Sequence, residues 1–122
     1  MIFPETPRSS KCWDLSSPET LKHDAGGDSL GIASMVRWTI ARYAANPNRV
    51  FSMGTSSGAM MTNVLLGAYP DIFAAGSAWA GVPFGCYSDV GGTANWSNAC
   101  ATGQIRHTGA EWKAIVEAAY PG

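Results

Sequence analysis

The sequence predicts an α/β fold in which helices flank a parallel sheet of about three strands. Three short apolar runs, at 1–4, 50–53 and 73–80, indicate strands, and the last of them is predicted to be a buried parallel strand. Between and after them, apolar residues recur at helical spacing. The order strand, helix, strand, helix, strand implies a parallel sheet whose strands are joined by right-handed crossovers. We expect a single, incomplete domain over residues 1–122, because so few strands leave long unpaired edges.

The first part of the chain is predicted to form a strand, a long loop and a helix. The run 1–4 looks like a strand that Pro4 ends, because proline cannot donate a ladder hydrogen bond. The polar segment 5–27 has no periodicity, and loops of this length often border functional sites. Asp28 or Ser29 is expected to cap the first helix.

The centre of the chain carries a Gly-x-Ser-x-Gly motif, from Gly54 to Gly58, between a strand run and an apolar helical pattern. This order is typical of a nucleophile elbow, in which the serine lies in a strained turn and flanking small residues let strand and helix approach closely. The motif predicts that Ser56 is a catalytic nucleophile and that the N–H of Ser57 is one oxyanion donor. The alternative is an ordinary doubly wound domain in which Ser56 only caps the helix.

A serine nucleophile needs a base and a group that orients the base. In the chain order serine, acid, histidine, His107 is the one candidate base, with Asp71 or Asp89 as the acid. We interpret His107 as a turn residue instead, because it directly precedes Thr108, the first residue of a Thr-x-x-Glu capping box that starts the last helix. His23 is interpreted as a loop histidine.

The composition excludes several classes of partner. Charged residues make up 14% of the chain, the formal net charge is -1, and there is no run of Lys or Arg. We therefore expect a soluble protein that binds neither nucleic acid nor an anionic membrane. No apolar stretch reaches the roughly 18 to 20 residues that would span a bilayer. The N-terminus shows no signal peptide.

The three cysteines predict one disulfide and no metal site. Cys86 and Cys100 flank a loop rich in Gly, Ser and Asn, and closing it would contribute about 3 kcal/mol in the chain-entropy model. Cys12 would then be unpaired; the alternative is three reduced thiols. Their spacing is not that of a metal site. Asn95 starts a glycosylation sequon, which matters only in a secreted protein.

Seven blocks carry a family resemblance: Cys-Trp-Asp at 12–14, Gly-Gly-Asp-Ser at 26–29, Arg-Val-Phe at 49–51, the elbow at 54–61, Tyr-Pro at 69–70, Phe-Ala-Ala at 73–75 and Gly-Val-Pro-x-Gly-Cys at 81–86. In this order they resemble the fungal acetylxylan and feruloyl esterases of carbohydrate esterase family 1, which share the esterase domain of polyhydroxybutyrate depolymerases. The resemblance runs along the whole chain. It implies a partial α/β-hydrolase fold, with Ser56 as the nucleophile and Ser57 as the oxyanion-hole residue.

The resemblance also implies a function. It is that of a secreted serine carboxylic ester hydrolase, monomeric in its full-length form, that needs no cofactor and removes acyl groups from plant cell-wall polysaccharide. The family's second oxyanion donor lies upstream of the matched residues, and its acid and histidine lie downstream, so a truncated form is expected. The alternatives are an inactive remnant or binding fragment of the same fold, a polyhydroxyalkanoate depolymerase, and an unrelated small doubly wound domain.

Overall fold

The computed structural model describes residues 1–88 and 96–122. These residues contain two strands and four α-helices. In chain order, the elements are α1 (Gly27–Tyr43), a short 3-10 turn (Pro47–Arg49), β1 (Phe51–Thr55), α2 (Ser57–Ala68), β2 (Ala75–Trp79), α3 (Asn98–Ala101) and α4 (Gly109–Glu117).

The sheet of the described residues consists of β1 and β2, which pair in parallel with Phe51 opposite Ala75 and Thr55 opposite Trp79. The helix α2 connects the two strands, as expected for a parallel pair. The prediction of a third strand at 1–4 is wrong, and Met1 is fully exposed there. The composition of that run suits a strand, but an extended segment becomes one only where a second backbone pairs with it.

The helix α2 lies on one face of the sheet and is the centre of the hydrophobic core. Seven of its twelve residues are buried: Ala59, Met60, Met61, Thr62, Val64, Leu65 and Ala68. It contacts both strands, and it also contacts α1 and α4. Because α2 is buried on several sides, its apolar residues are not confined to a narrow stripe. The packing of α2 therefore fixes the residues at its N-terminus.

The helix α1 begins without the side-chain cap that the sequence predicted. Its N-cap residue is Gly26, which makes no side-chain cap hydrogen bond. Asp28 and Ser29 hold the preceding loop instead. The Asp28 carboxylate accepts the N–H of Asp14 at 2.8 Å, and the Ser29 hydroxyl donates to the carbonyl of Thr20 at 2.6 Å. A residue that binds a distant loop is no longer available as a cap.

The predicted start of the last helix and the predicted disulfide are both confirmed. Thr108 accepts the N–H of Glu111, and the Glu111 carboxylate accepts the N–H of Thr108, which completes the predicted capping box of α4. Cys86 and Cys100 are bonded, with their Cα atoms 5.9 Å apart, and Cys12 is free and exposed. None of the helices in residues 1–88 and 96–122 is long and apolar enough to cross a membrane.

Candidate active site

Ser56 occupies the turn between β1 and α2, where the motif predicted it. The strand ends at Thr55 and the helix begins at Ser57, so a single residue connects them. The backbone of Ser56 has φ 56° and ψ -123°. A residue with a side chain adopts this region at a cost of about 1 to 3 kcal/mol, and the surrounding structure must hold it there. Ser56 thus lies in a strained turn at the carboxyl end of a strand.

The Ser56 hydroxyl does not cap α2. Its carbonyl accepts the N–H groups of Ala59 and Met60, at 3.0 and 3.1 Å, so the main chain of Ser56 starts the helix. Its side chain makes no cap hydrogen bond and the residue is exposed. The interpretation of Ser56 as a capping serine is therefore wrong. The hydroxyl remains accessible at the edge of the sheet.

The two glycines of the motif have different roles. A Cβ atom on Gly54 would lie 2.3 Å from both the carbonyl carbon and the oxygen of Gly58, closer than any real contact. A Cβ atom on Gly58 would meet nothing within 4 Å. The close approach of strand and helix thus requires a glycine at position 54. Position 58 has room for a side chain, so the close approach does not require a glycine there, although the motif suggested that it would.

The backbone amides of the elbow are also distinct. The N–H of Ser56 donates to the carbonyl of Trp79 at 3.0 Å, so it is already used. Ser57 is the first residue of α2. The first N–H groups of a helix have no carbonyl one turn earlier to bond, and the helix dipole gives this end a partial positive charge. The amide of Ser57 is therefore suited to an oxyanion.

His23 lies in the loop before α1, as predicted, and its ring is far from the elbow. Its Nδ1 is 2.6 Å from the carbonyl oxygen of Ala68, the last residue of α2. A helix of 12 residues is about 18 Å long, so this contact is at the end opposite Ser56. The ring packs between Tyr69 and Tyr120, with centroid distances of 4.8 and 4.3 Å.

Asp71 and His107 lie at different positions. The ring of His107 packs edge-on against Trp112 with a centroid distance of 4.6 Å, and its Nδ1 is 4.0 Å from the Glu111 carboxylate, beside the start of α4. Asp71 has its carboxylate 3.7 Å from Nδ1 of His23. Asp89 and the sequon residue Asn95 lie outside the described residues.

Two further titratable groups have shifted pKa values. Burial raises the pKa of the Tyr87 hydroxyl, and the neighbouring Cys12 thiol adds to the shift. Backbone and side-chain hydrogen bonds from Thr108 lower the pKa of the Glu111 carboxylate. Within residues 1–88 and 96–122, no cluster of three or more His, Cys, Asp or Glu side chains could hold a metal ion.

Sequence reasoning missed the roles of the last residue of β2 and of the residue after it. Trp79 holds the amide of Ser56, and the next residue, Ala80, has φ 57°. Alanine gives no local signal of such a conformation, which usually belongs to glycine. The one usable signal is Gly81, because a glycine directly after an apolar strand often marks a close approach of two backbones.

The comparisons with known proteins agree with this geometry. The model of the family described as "Prolyl oligopeptidase family" matches residues 21–118. Acetylxylan esterase A of Emericella nidulans is 52% identical over 123 residues, which are 100% of this chain and 40% of the relative. Feruloyl esterase B of Talaromyces stipitatus is 48% identical over 124 residues, covering 100% of this chain and 35% of that protein.

A solved structure, the acetyl xylan esterase from Aspergillus awamori, superposes with a TM-score of 0.91 and 46% sequence identity, covering 96% of this chain and 43% of that one. The resemblance to fungal acetylxylan and feruloyl esterases is thereby confirmed, as is the assignment to part of the α/β-hydrolase fold. The chain spans about two fifths of the length of the acetylxylan esterases that it matches. Since the family model matches most of its residues, this chain belongs to the prolyl oligopeptidase family.

Proposed function

We propose that this chain carries the nucleophile of a serine carboxylic ester hydrolase, and that Ser56 forms the acyl-enzyme. The observation that carries the proposal is the strained turn at Ser56, whose hydroxyl is exposed and does not cap α2. Strain of this kind persists only where the surrounding structure maintains it, and it is concentrated at functional sites. The relatives of about 50% identity, which are named as esterases, support the same role.

The proposed reaction is acyl transfer in two steps. A base takes the proton of the Ser56 hydroxyl while its oxygen attacks the ester carbonyl, and the N–H of Ser57 donates to the oxyanion. The carbonyl re-forms as the alcohol leaves with a proton, which leaves an acyl group on Ser56. Water then attacks the acyl-enzyme, releases the acid and restores the hydroxyl. No metal or cofactor takes part in these steps.

The proposed substrate is an acylated plant cell-wall polysaccharide, with acetylated xylan first. The support is that several relatives bear the name acetylxylan esterase, and one bears the name feruloyl esterase. Removal of a feruloyl group, or of a hydroxyalkanoate unit by a depolymerase, uses the same chemistry with a different acyl pocket. The proposal includes secretion and a monomeric full-length form, as the resemblance implies.

The base and the acid are proposed to come from family sequence that this chain does not match. In support, His23 lies at the opposite end of α2 from Ser56, and Asp71 lies beside His23. The absence of a triad member leaves a residual rate of roughly 10³ to 10⁴ over water when the oxyanion hole is intact. That rate is an upper limit here, because the family's second oxyanion donor is also proposed to lie outside the matched residues. We therefore expect this chain to hydrolyse activated esters feebly at most.

The test measures two rates: covalent labelling of the chain by a fluorophosphonate, and hydrolysis of p-nitrophenyl acetate. We expect slow labelling and weak hydrolysis, both abolished by Ser56→Ala. Ser57→Ala is the matched control, because it removes a neighbouring hydroxyl but keeps the proposed N–H donor, and it should retain both signals. No labelling of the unmodified chain would favour an inactive remnant. Rapid turnover that both Ser56→Ala and His107→Ala abolish would identify His107 as the base and contradict the proposal that the base lies elsewhere.

A further inference from the structure

The last residue of β2 and the three residues after it, 79–82, form a segment that we call the β2 turn, which contacts the backbone of the proposed nucleophile. The Trp79 carbonyl accepts the N–H of Ser56 at 3.0 Å, and Ala80 follows with φ 57°. Ser56 has nearly the same φ, 56°. Two non-glycine residues with positive φ, Ser56 and Ala80, therefore lie at the carboxyl ends of neighbouring strands. Ser56 is hydrogen-bonded to Trp79, the residue directly before Ala80. Each conformation costs free energy, so contacts nearby must maintain both.

Two contacts with α2 hold this β2 turn. A Cβ atom on Gly81 would lie 2.8 Å from the Cβ of Ala59, so the turn packs directly on the first turn of the helix. One helical turn further on, Nδ2 of Asn63 donates to the carbonyl of Val82 at 2.9 Å. The Asn63 side chain is only partly buried and supports no large part of the core. Its polar contact connects the helix that begins at the elbow with the turn that holds the elbow.

We propose that Asn63 is a positioning residue for the nucleophile, acting through the Val82 carbonyl and the β2 turn. With the turn in place, the Trp79 carbonyl accepts the N–H of Ser56, and the amide of Ser57 at the start of α2 is available for an oxyanion. If the turn moves, the Ser56 amide is released and its strained conformation loses one of the contacts that hold it. This inference rests on the proposed function of Ser56.

The first experiment measures amide hydrogen exchange by NMR. Asn63→Leu removes the donor and keeps the branched arrangement of heavy atoms, whereas Asn63→Gln restores a donor. We expect the Ser56 amide to exchange about tenfold faster in Asn63→Leu, with the amides of Val64 and Leu65 unchanged. Unchanged protection of Ser56 would overturn the inference, as would an equal loss of protection throughout α2.

The second experiment measures the rate of fluorophosphonate labelling at Ser56, well below the unfolding temperature. We expect about a tenfold fall in Asn63→Leu and recovery in Asn63→Gln. The matched control is Ser88→Ala, which removes a side-chain hydrogen bond to a carbonyl, Ser88 Oγ to Gly85 at 2.7 Å, further along the same segment. An equal fall in Ser88→Ala would show that any damage to this segment suffices. If the unmodified chain does not label at all, the proposed function fails, and hydrogen exchange alone decides the inference.

Discussion

The two faces of the β1–β2 sheet differ in the size of their side chains. The face toward α2 has small residues, and Gly54 and Gly76 each come too close to the helix for a Cβ atom. The opposite face, which we call the open face, has large apolar side chains at alternate positions. Among these, Phe51, Met53 and Trp79 are 63%, 77% and 64% exposed.

This difference shows that the nucleophile is positioned from one side of the sheet. Gly54 packs against Gly58, and Gly81 packs against Ala59, so strand and turn both meet α2. The remaining contact, from Trp79 to the Ser56 amide, lies within the plane of the sheet. Because these contacts come from the helix side or lie in the plane of the sheet, we expect that side chains on the open face can change without moving Ser56. Changes on the helix face should have larger effects.

Gly54→Val should cause the largest loss of stability. The added Cβ would lie 2.3 Å from backbone atoms of Gly58, which cannot rotate away, so strand and helix must separate. We expect a loss of about 3 kcal/mol or more in the free energy of unfolding, because overpacking against backbone is at the costly end of such changes. Urea unfolding followed by circular dichroism measures it.

Gly58→Ala is the control for this substitution. Its Cβ would meet nothing within 4 Å, and alanine is preferred over glycine in a helix by about 0.5 to 1 kcal/mol. The Gly58→Ala chain should therefore be as stable as the parent or slightly more stable. Equal losses at positions 54 and 58 would contradict the assignment of the close approach to Gly54.

Asp14→Ala should cause the next largest loss of stability. Asp14 lies in the loop that precedes α1, not on the open face. The Asp14 carboxylate accepts hydrogen bonds from Ser16, Ser17 and Thr20, and its own N–H binds Asp28. Losing hydrogen bonds to a charged, partly buried group costs about 2 kcal/mol at neutral pH. The open face carries no ionisable side chain at Phe51, Met53, Thr55, Ala75, Ser77 or Trp79.

This effect should depend on pH in one direction. Burial raises the pKa of the Asp14 carboxylate, but the hydrogen bonds from Ser17, Ser16 and Thr20 outweigh burial and leave the pKa below its usual value. The ionised form therefore stabilises the folded chain above the unfolded pKa of about 3.9. That contribution is lost as the pH falls below about 4, toward the lower folded value. A difference between Asp14→Ala and the parent that stays constant from pH 7 to pH 2.5 would contradict this explanation.

The sequence was sufficient to predict those features whose determining contacts are local. The elbow lies within one strand, one turn and one helix, and the capping box lies within four residues, so short patterns predict both. It failed where a distant segment decides the outcome. Asp28 does not cap α1 because Asp14 and Arg8 bind its carboxylate. The roles of Trp79 and Ala80 depend on a strand pairing that joins positions 24 residues apart, which a single sequence does not display.

Gly76→Ala should have a smaller effect than the changes at Gly54 and Asp14. Its Cβ would lie 2.8 Å from Cγ2 of Thr62 and 2.9 Å from Cδ1 of Leu66. These two atoms are the ends of side chains, which can shift at a lower cost than backbone. The backbone oxygen of Ser52, at 3.1 Å, needs to move by only a few tenths of an ångström, so we expect a loss of about 1 kcal/mol. Ser77→Ala changes the next residue, on the open face, and should alter stability by less than about 0.5 kcal/mol. The reverse order would show that the faces were assigned wrongly.

Met53→Lys should have the smallest effect. Met53 is 77% exposed at the centre of the open face, so a lysine there can extend into water without burying its charge. Substitutions at such positions usually change the free energy of unfolding by less than about 0.5 kcal/mol. Urea unfolding at two protein concentrations tests this. A loss above about 1.5 kcal/mol, or a parent chain whose stability rises with concentration while Met53→Lys does not, would mean that the open face is covered in solution. The comparison between the two faces would then hold for an isolated chain and not for the protein in solution.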